Sequence, residues 1–113
     1  MAATITISHG IDFFGELAHS TARLHTLATA LTKVMPSRQA HREDLEQVVQ
    51  LLRHDFTEPM EIEPEQAAAV AEALRRAAGD RFLKPTPTKE AELLAECAER
   101  AADASETWTW RQN

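Results

Sequence analysis

One cysteine, three glycines and no tyrosine occur among 113 residues, and each scarcity removes a class of protein. Cys97 alone cannot close an internal disulfide, so a disulfide-stapled secreted scaffold is excluded. Gly10, Gly15 and Gly79 form neither a phosphate loop nor a dinucleotide fingerprint, and no nucleotide cofactor is implied. No apolar run approaches the roughly 18 residues of a membrane span. The first residues also lack the basic and apolar regions of a secretory leader, so a soluble cytoplasmic protein is expected. Basic residues are outnumbered: 12 Lys and Arg face 18 Asp and Glu, for a net charge of −6. That sign is wrong for neutralising phosphates, which disfavours direct binding to nucleic acid.

What remains fits one domain over residues 1–113, long enough to bury a self-sufficient core. The apolar content is 43%, much of it alanine, which implies closely packed helices. Charge is unevenly spread. Glu58, Glu61, Glu63, Glu65 and Glu72 occupy a stretch without a basic residue, and Arg75, Arg76, Arg81 and Lys84 follow with Asp80 as their one acidic neighbour.

Four segments repeat the apolar spacing i, i+3, i+4, i+7, i+11 of an amphipathic helix. They are Leu24/Leu27/Ala28/Leu31/Met35, Leu45/Val48/Val49/Leu52/Phe56, Ala67/Val70/Ala71/Leu74/Ala78 and Ala91/Leu94/Ala95/Ala98/Ala102. The spacing predicts helices over about 20–35, 42–55, 64–78 and 88–104. Ser20 suits an N-cap, Pro36 a stop, Pro64 a first turn, Gly79 a left-handed C-cap, and Pro87 or Thr88 the start of the last helix. Three short stretches read as strands: Thr4–Ser8, Met60–Ile62 and Thr107–Arg111. The expected architecture is α+β, with two helical hairpins on a small antiparallel sheet in the order β-α-α-β-α-α-β. Pro59 and Pro64 hold the middle strand to few residues and put it at an edge. An all-α four-helix bundle with extended termini is the alternative.

The chemically richest stretch is the non-helical start, Ile5 to Glu16. His9 and Asp12 could pair as a base and its orienting carboxylate or as two ligands of a metal, or His9 could cap the strand while Asp12 forms an Asx turn. Phe13 and Phe14 are adjacent, so their rings point apart; one suits the core and the other a partner interface. Trp108 and Trp110 share one strand face, as core residues or as the wall of a pocket with Arg111 and Arg81 as donors. If the first and last strands pair, this aromatic patch and His9 become neighbours. Glu92, Glu96, Glu99 and Asp103 fall on one side of the last helix, either a solvated face or a surface for a basic partner. His19 and His25 could approach each other, but the histidines have no zinc-ligand spacing and no metal is expected. Cys97 has no basic residue beside it in the sequence and reads as packing.

Ile7-Ser8-His9-Gly10-Ile11-Asp12-Phe13-Phe14-Gly15-Glu16, with Ile62-Glu63-Pro64, Arg75-Arg76-Ala77 and Trp108-Thr109-Trp110, resembles a family of small actinobacterial proteins that carry no assigned function. Its most specific element is the Ser-His-Gly-x-Asp-Phe-Phe-Gly string. The resemblance implies a bacterial, cytoplasmic, free-standing domain and transfers no activity. It leaves open whether the string is a site or a strained turn.

The expected function is that of a small acidic accessory or regulatory protein acting through protein–protein contact, with another protein or a second copy of itself as partner. Polar residues suited to chemistry are sparse and dispersed, so no catalytic residue is assigned. The competing class is a small-ligand binder or modest enzyme with a pocket built from His9, Asp12, Trp108, Trp110 and Arg81.

Overall fold

The computed structural model describes residues 5–11 and 15–113. Thr4, Asp12, Phe13 and Phe14 therefore lie outside the described residues. In chain order the elements are β1 (Thr6–Ile11), β2 (Gly15–Ser20), α1 (Thr21–Thr32), α2 (Gln39–Arg53), β3 (Met60–Ile62), α3 (Pro64–Ala78), α4 (Pro85–Asp103) and β4 (Trp108–Gln112). Four helices and an antiparallel sheet in the order β2-β1-β4-β3 make the α+β fold that the periodicities indicate.

β2 adds a strand that the sequence pattern did not reveal. Gly-Glu-Leu-Ala-His-Ser contains no β-branched or aromatic residue, so its extended form comes from pairing with β1 and not from local preference. The first and last strands do pair, with His9 opposite Trp110, and β3 lies at an edge as its flanking prolines require.

The pleat sends Ile7, His9 and Ile11 of β1 to the same face as Trp108 and Trp110 of β4 and Ile62 of β3; all six are buried. The opposite face carries Glu61 and Arg111, both exposed. It also carries Ser8, whose hydroxyl donates to Asn113 Oδ1 at 2.8 Å and ties the chain's last residue back to β1.

The helices bury the expected stripes. Leu24, Leu27, Ala28 and Leu31 of α1 face α2, whose own Leu45, Val48, Val49 and Leu52 are buried. Ala67, Ala71, Leu74 and Ala77 of α3 pack on Ala91, Leu94, Ala95 and Ala98 of α4, and the small side chains let the two backbones approach closely. At the end of α4 the buried position is Ala101, with Ala102 half-buried, because a 3.6-residue turn drifts from a fixed spacing over three turns.

The helix ends differ in detail from the sequence signals. Ser20 caps α1 as expected, its Oγ accepting from Arg23 N at 3.2 Å. α4 starts earlier, at Pro85. Both Pro85 and Pro87 then fall in the first turn, where a missing N–H costs nothing, and Thr88 Oγ1 donates to Lys84 O at 2.8 Å. Gly79 is right-handed at φ −80°, because its N–H and that of Asp80 bond back to Arg75 and Ala77 without a change of hand. The left-handed cap closes α4 instead, at Ser105 with φ 54°, where Glu106 N reaches Ala101 O at 3.0 Å and Ser105 N reaches Ala102 O at 3.1 Å.

Phe56, counted in the second helical stripe, lies beyond α2 at φ 54°, a conformation costly for a bulky residue. Burial stabilises it there: the ring stacks on Trp110 with centroids 5.3 Å apart, and its carbonyl accepts from Gln112 N at 3.3 Å. Trp110 therefore joins three elements. Trp110→Ala is expected to lower the free energy of unfolding by about 3–5 kcal/mol, read from urea titrations followed by far-UV circular dichroism. A loss below about 1 kcal/mol would show that the aromatic row is not a principal packing unit.

Candidate functional site

His9 is the least expected residue of the core, with 1% of its surface exposed. Alternation along β1 forces it onto the helix-covered face, and the pairing of β1 with β4 sets it between the two tryptophans. Its ring stacks on Trp110 at 4.5 Å between centroids and stands edge-on to Trp108 at 5.3 Å. His19 on β2 is its diagonal neighbour across the hairpin, since the residue directly opposite His9 is Leu17.

The hydrogen bonds determine the tautomers. Trp108 Nε1–H can only donate, and it donates to His9 Nδ1 at 3.1 Å. The His9 proton therefore sits on Nε2, 3.0 Å from His19 Nε2, which must accept it. His19 then carries its own proton on Nδ1. The chain Trp108→His9→His19 runs in one direction, with both imidazoles neutral. Burial, and secondarily the neighbouring His19, lower the His9 pKa from 6.5 to about 3. Burial also lowers that of His19, helped by Arg23 and opposed by Glu90.

Beside this centre is a cavity of about 60 Å³ lined by His9, Leu17, Cys97 and Arg100 among others. That volume is far below the roughly 300–1,000 Å³ of a small-molecule site. Both nitrogens of His9 are engaged, so it presents no free lone pair to the cavity. Burial raises the Cys97 pKa, which keeps its sulfur as the thiol and not the nucleophilic thiolate. Trp110 Nε1 is buried without a hydrogen-bond partner among the described residues.

The structure thus brings together His9, Trp108 and Trp110. Arg81 does not line their cavity; it is exposed between α3 and α4, its guanidinium 4.9 Å from the ring centre of Phe82. Asp12, Phe13 and Phe14 are outside the described residues. His25 is exposed on α1, and the histidine in contact with His19 is His9. Among the described residues no three His, Cys, Asp or Glu side chains gather around a common point for a metal ion.

Of the carboxylates on α4, Glu99 accepts two bonds from Arg75 of α3, at 2.7 and 3.2 Å, and Glu96 pairs with Arg100 at 2.6 Å. The bond from Arg75 holds the Glu99 carboxyl below its usual range. Glu92 and Asp103 are exposed at the two ends of the ridge. Arg76 is paired with Glu72 at 3.4 Å, so the basic stretch from Arg75 to Lys84 is also partly neutralised.

Three contributors were not legible from composition and spacing. His19 could have been found only through the hairpin register that Gly10 and Gly15 flank; Phe56 masqueraded as a helical position, and Phe82 carried no periodic signal.

The fold and this centre define an α+β domain organised around a neutral histidine pair, His9 buried and His19 half-buried. The chain belongs to the family described as a domain of unknown function, DUF7739, whose model matches residues 10–111. No curated protein and no solved structure matches it.

The histidine pair makes stability depend on pH. Unfolded His9 takes up a proton near 6.5 and the folded residue only near 3, so between those values the unfolded chain binds more protons. The stabilisation is complete above the unfolded value and is lost as pH falls from 6.5 toward 3, at about 1.4 kcal/mol per pH unit from His9. His19 acts in the same direction. Urea midpoints between pH 7.5 and 5 should fall more steeply for the native chain than for His9→Gln; coincident slopes would contradict the neutral-pair assignment.

Proposed function

We propose that this domain works as an accessory or regulatory protein that binds another protein. The observation that carries this reading is Phe82, an aromatic side chain with 75% of its surface exposed on an ordered turn. Asp80 Oδ1 accepts from Phe82 N at 2.8 Å, and Asp80 O accepts from Leu83 N at 3.1 Å. Leu83 is buried, so the turn is anchored on one side while Phe82 projects on the other. Exposing a large apolar ring costs hydrophobic free energy that burial in a partner recovers, and aromatic and arginine residues are the common anchors of interfaces.

Arg81 over the ring, with Lys84 nearby in the chain, suits a partner with an apolar pocket and an acidic rim. The carboxylate ridge of α4 is a lesser candidate surface, because Glu96 and Glu99 are already satisfied by arginines. A small-ligand or catalytic pocket at His9, Trp108 and Trp110 is the weaker alternative, with about 60 Å³ of space beside it. The resemblance to actinobacterial proteins supports a bacterial, cytoplasmic setting for this role. No helix among the described residues is long and apolar enough to cross a membrane.

Tagged native chain recovered gently from its host is expected to carry a macromolecular partner in native mass spectrometry. Phe82→Ala and Arg81→Glu should each lose it while far-UV circular dichroism is unchanged. Equal recovery of the same partner by both variants would overturn the assignment of this turn, and a dimer in light scattering that Phe82→Ala dissolves would identify the partner as a second copy.

A further inference from the structure

We propose that the cleft between α2, β3 and α3 receives a short extended segment of a basic polypeptide, added to the open edge of β3 as a fifth strand. This site is at the other end of α3 from Phe82 and does not depend on that turn.

The geometry of β3 carries the argument. The cleft, about 440 Å³, is lined by all three residues of the strand, Met60, Glu61 and Ile62. Successive side chains of a strand point to opposite faces, so a cleft that touches all three reaches the strand's backbone as well as its side chains. β4 occupies one edge of β3, and the sheet order leaves the other without a partner strand. Unpaired N–H and C=O groups there are the template for strand addition. Pro59 and Pro64 bound this edge, so it offers a registry of about three residues, roughly 10 Å.

The walls fit a polypeptide better than an anion or a purely apolar ligand. Leu51, Ile62 and Val70 supply an apolar floor. Above it the exposed carboxamides of Gln47, Gln50 and Gln66 have no protein partners among the described residues, and each can both donate to and accept from a peptide unit. His54 sits at the same cleft, its ring edge-on to Phe56 at 4.8 Å between centroids, so the left-handed residue that turns the chain toward β3 also positions this imidazole.

Charge selects the kind of polypeptide. No Lys or Arg lines the cleft, which excludes phosphate and carboxylate ligands as the natural class. Around the strand, Glu58, Glu61, Glu63 and Glu65 are exposed, and no basic residue occurs between Arg53 and Arg75. A segment bearing Lys or Arg is complementary to that field. The same charge argues against a second copy: antiparallel pairing of two β3 edges about a two-fold axis would set Glu61 opposite Glu61.

The test begins with random nonapeptides displayed on phage and selected on the immobilised full chain, the enriched peptide then being synthesised with a fluorescein label. Enriched sequences are expected to carry Lys or Arg between apolar residues. In fluorescence anisotropy their affinity should fall on the order of tenfold with Glu61→Lys, and similarly when alternate peptide amides are N-methylated in one of the two registers. Amide NMR shifts should centre on residues 60–62, and Lys89→Ala, exposed near the start of α4, should bind as the native chain does. Enrichment of no peptide, selection of acidic peptides, binding that survives both Glu61→Lys and N-methylation, or a peptide-free dimer joined through residues 60–62 would each overturn the proposal.

Discussion

The contact on which the rest of the molecule depends is the stacking of His9 against Trp110, where the first and last strands pair. Their centroids lie 4.5 Å apart, and each ring is committed on its other side, Trp110 to Phe56 and His9 to His19. The β1–β2 hairpin, the turn after α2 and β4, three segments distant in sequence, thus meet in one row of rings. A one-residue slip of β1 against β4 would turn His9 toward the outer face and carry Ser8 under the helices. Register, tautomer and packing are therefore set together. The neutral state of the histidines is a condition of the arrangement, since a second proton on His9 would occupy the nitrogen that accepts from Trp108.

Around that row the helices form a tight cover. Alanines along α3 and α4 bring those helices close, and the Arg75–Glu99 pair bridges them at the rim, where solvent keeps its energetic weight small. The strained backbone of Phe56 follows from the same demand: the chain leaving α2 must place an aromatic ring on Trp110 and then run into β3 alongside β4. Burial of the ring offsets the cost of its left-handed conformation. The turn also sets His54 on one wall of the cleft whose other wall is the edge of β3.

Among the described residues, His9 and Cys97 are thereby committed to the core and its margin. His9 has both nitrogens engaged, and Cys97 is held as a thiol; among the described residues the exposed features include a projecting aromatic turn and an acidic sheet edge. They lie at opposite ends of α3 and differ in charge.

Composition and spacing alone determined the four helices, because burying an apolar stripe every 3.6 residues leaves a strong periodic trace in Leu, Val and Ala. They also determined β4, through the alternation of Trp108 and Trp110, and the edge position of β3, through its two prolines. β2 was not legible: its residues have little intrinsic preference for a strand and become one only by pairing with β1. For the same reason His19 stood in the sequence as an ordinary polar residue, ten positions from the imidazole it binds. Arg81 was grouped with the tryptophans on charge and composition, and the structure places it outward on Phe82, because a connection's direction is set by its anchors, here Asp80 and Leu83. Local pattern specified which faces are buried, and only the tertiary pairing of strands decided which buried groups meet, since those contacts join residues as far apart as His9 and Trp108.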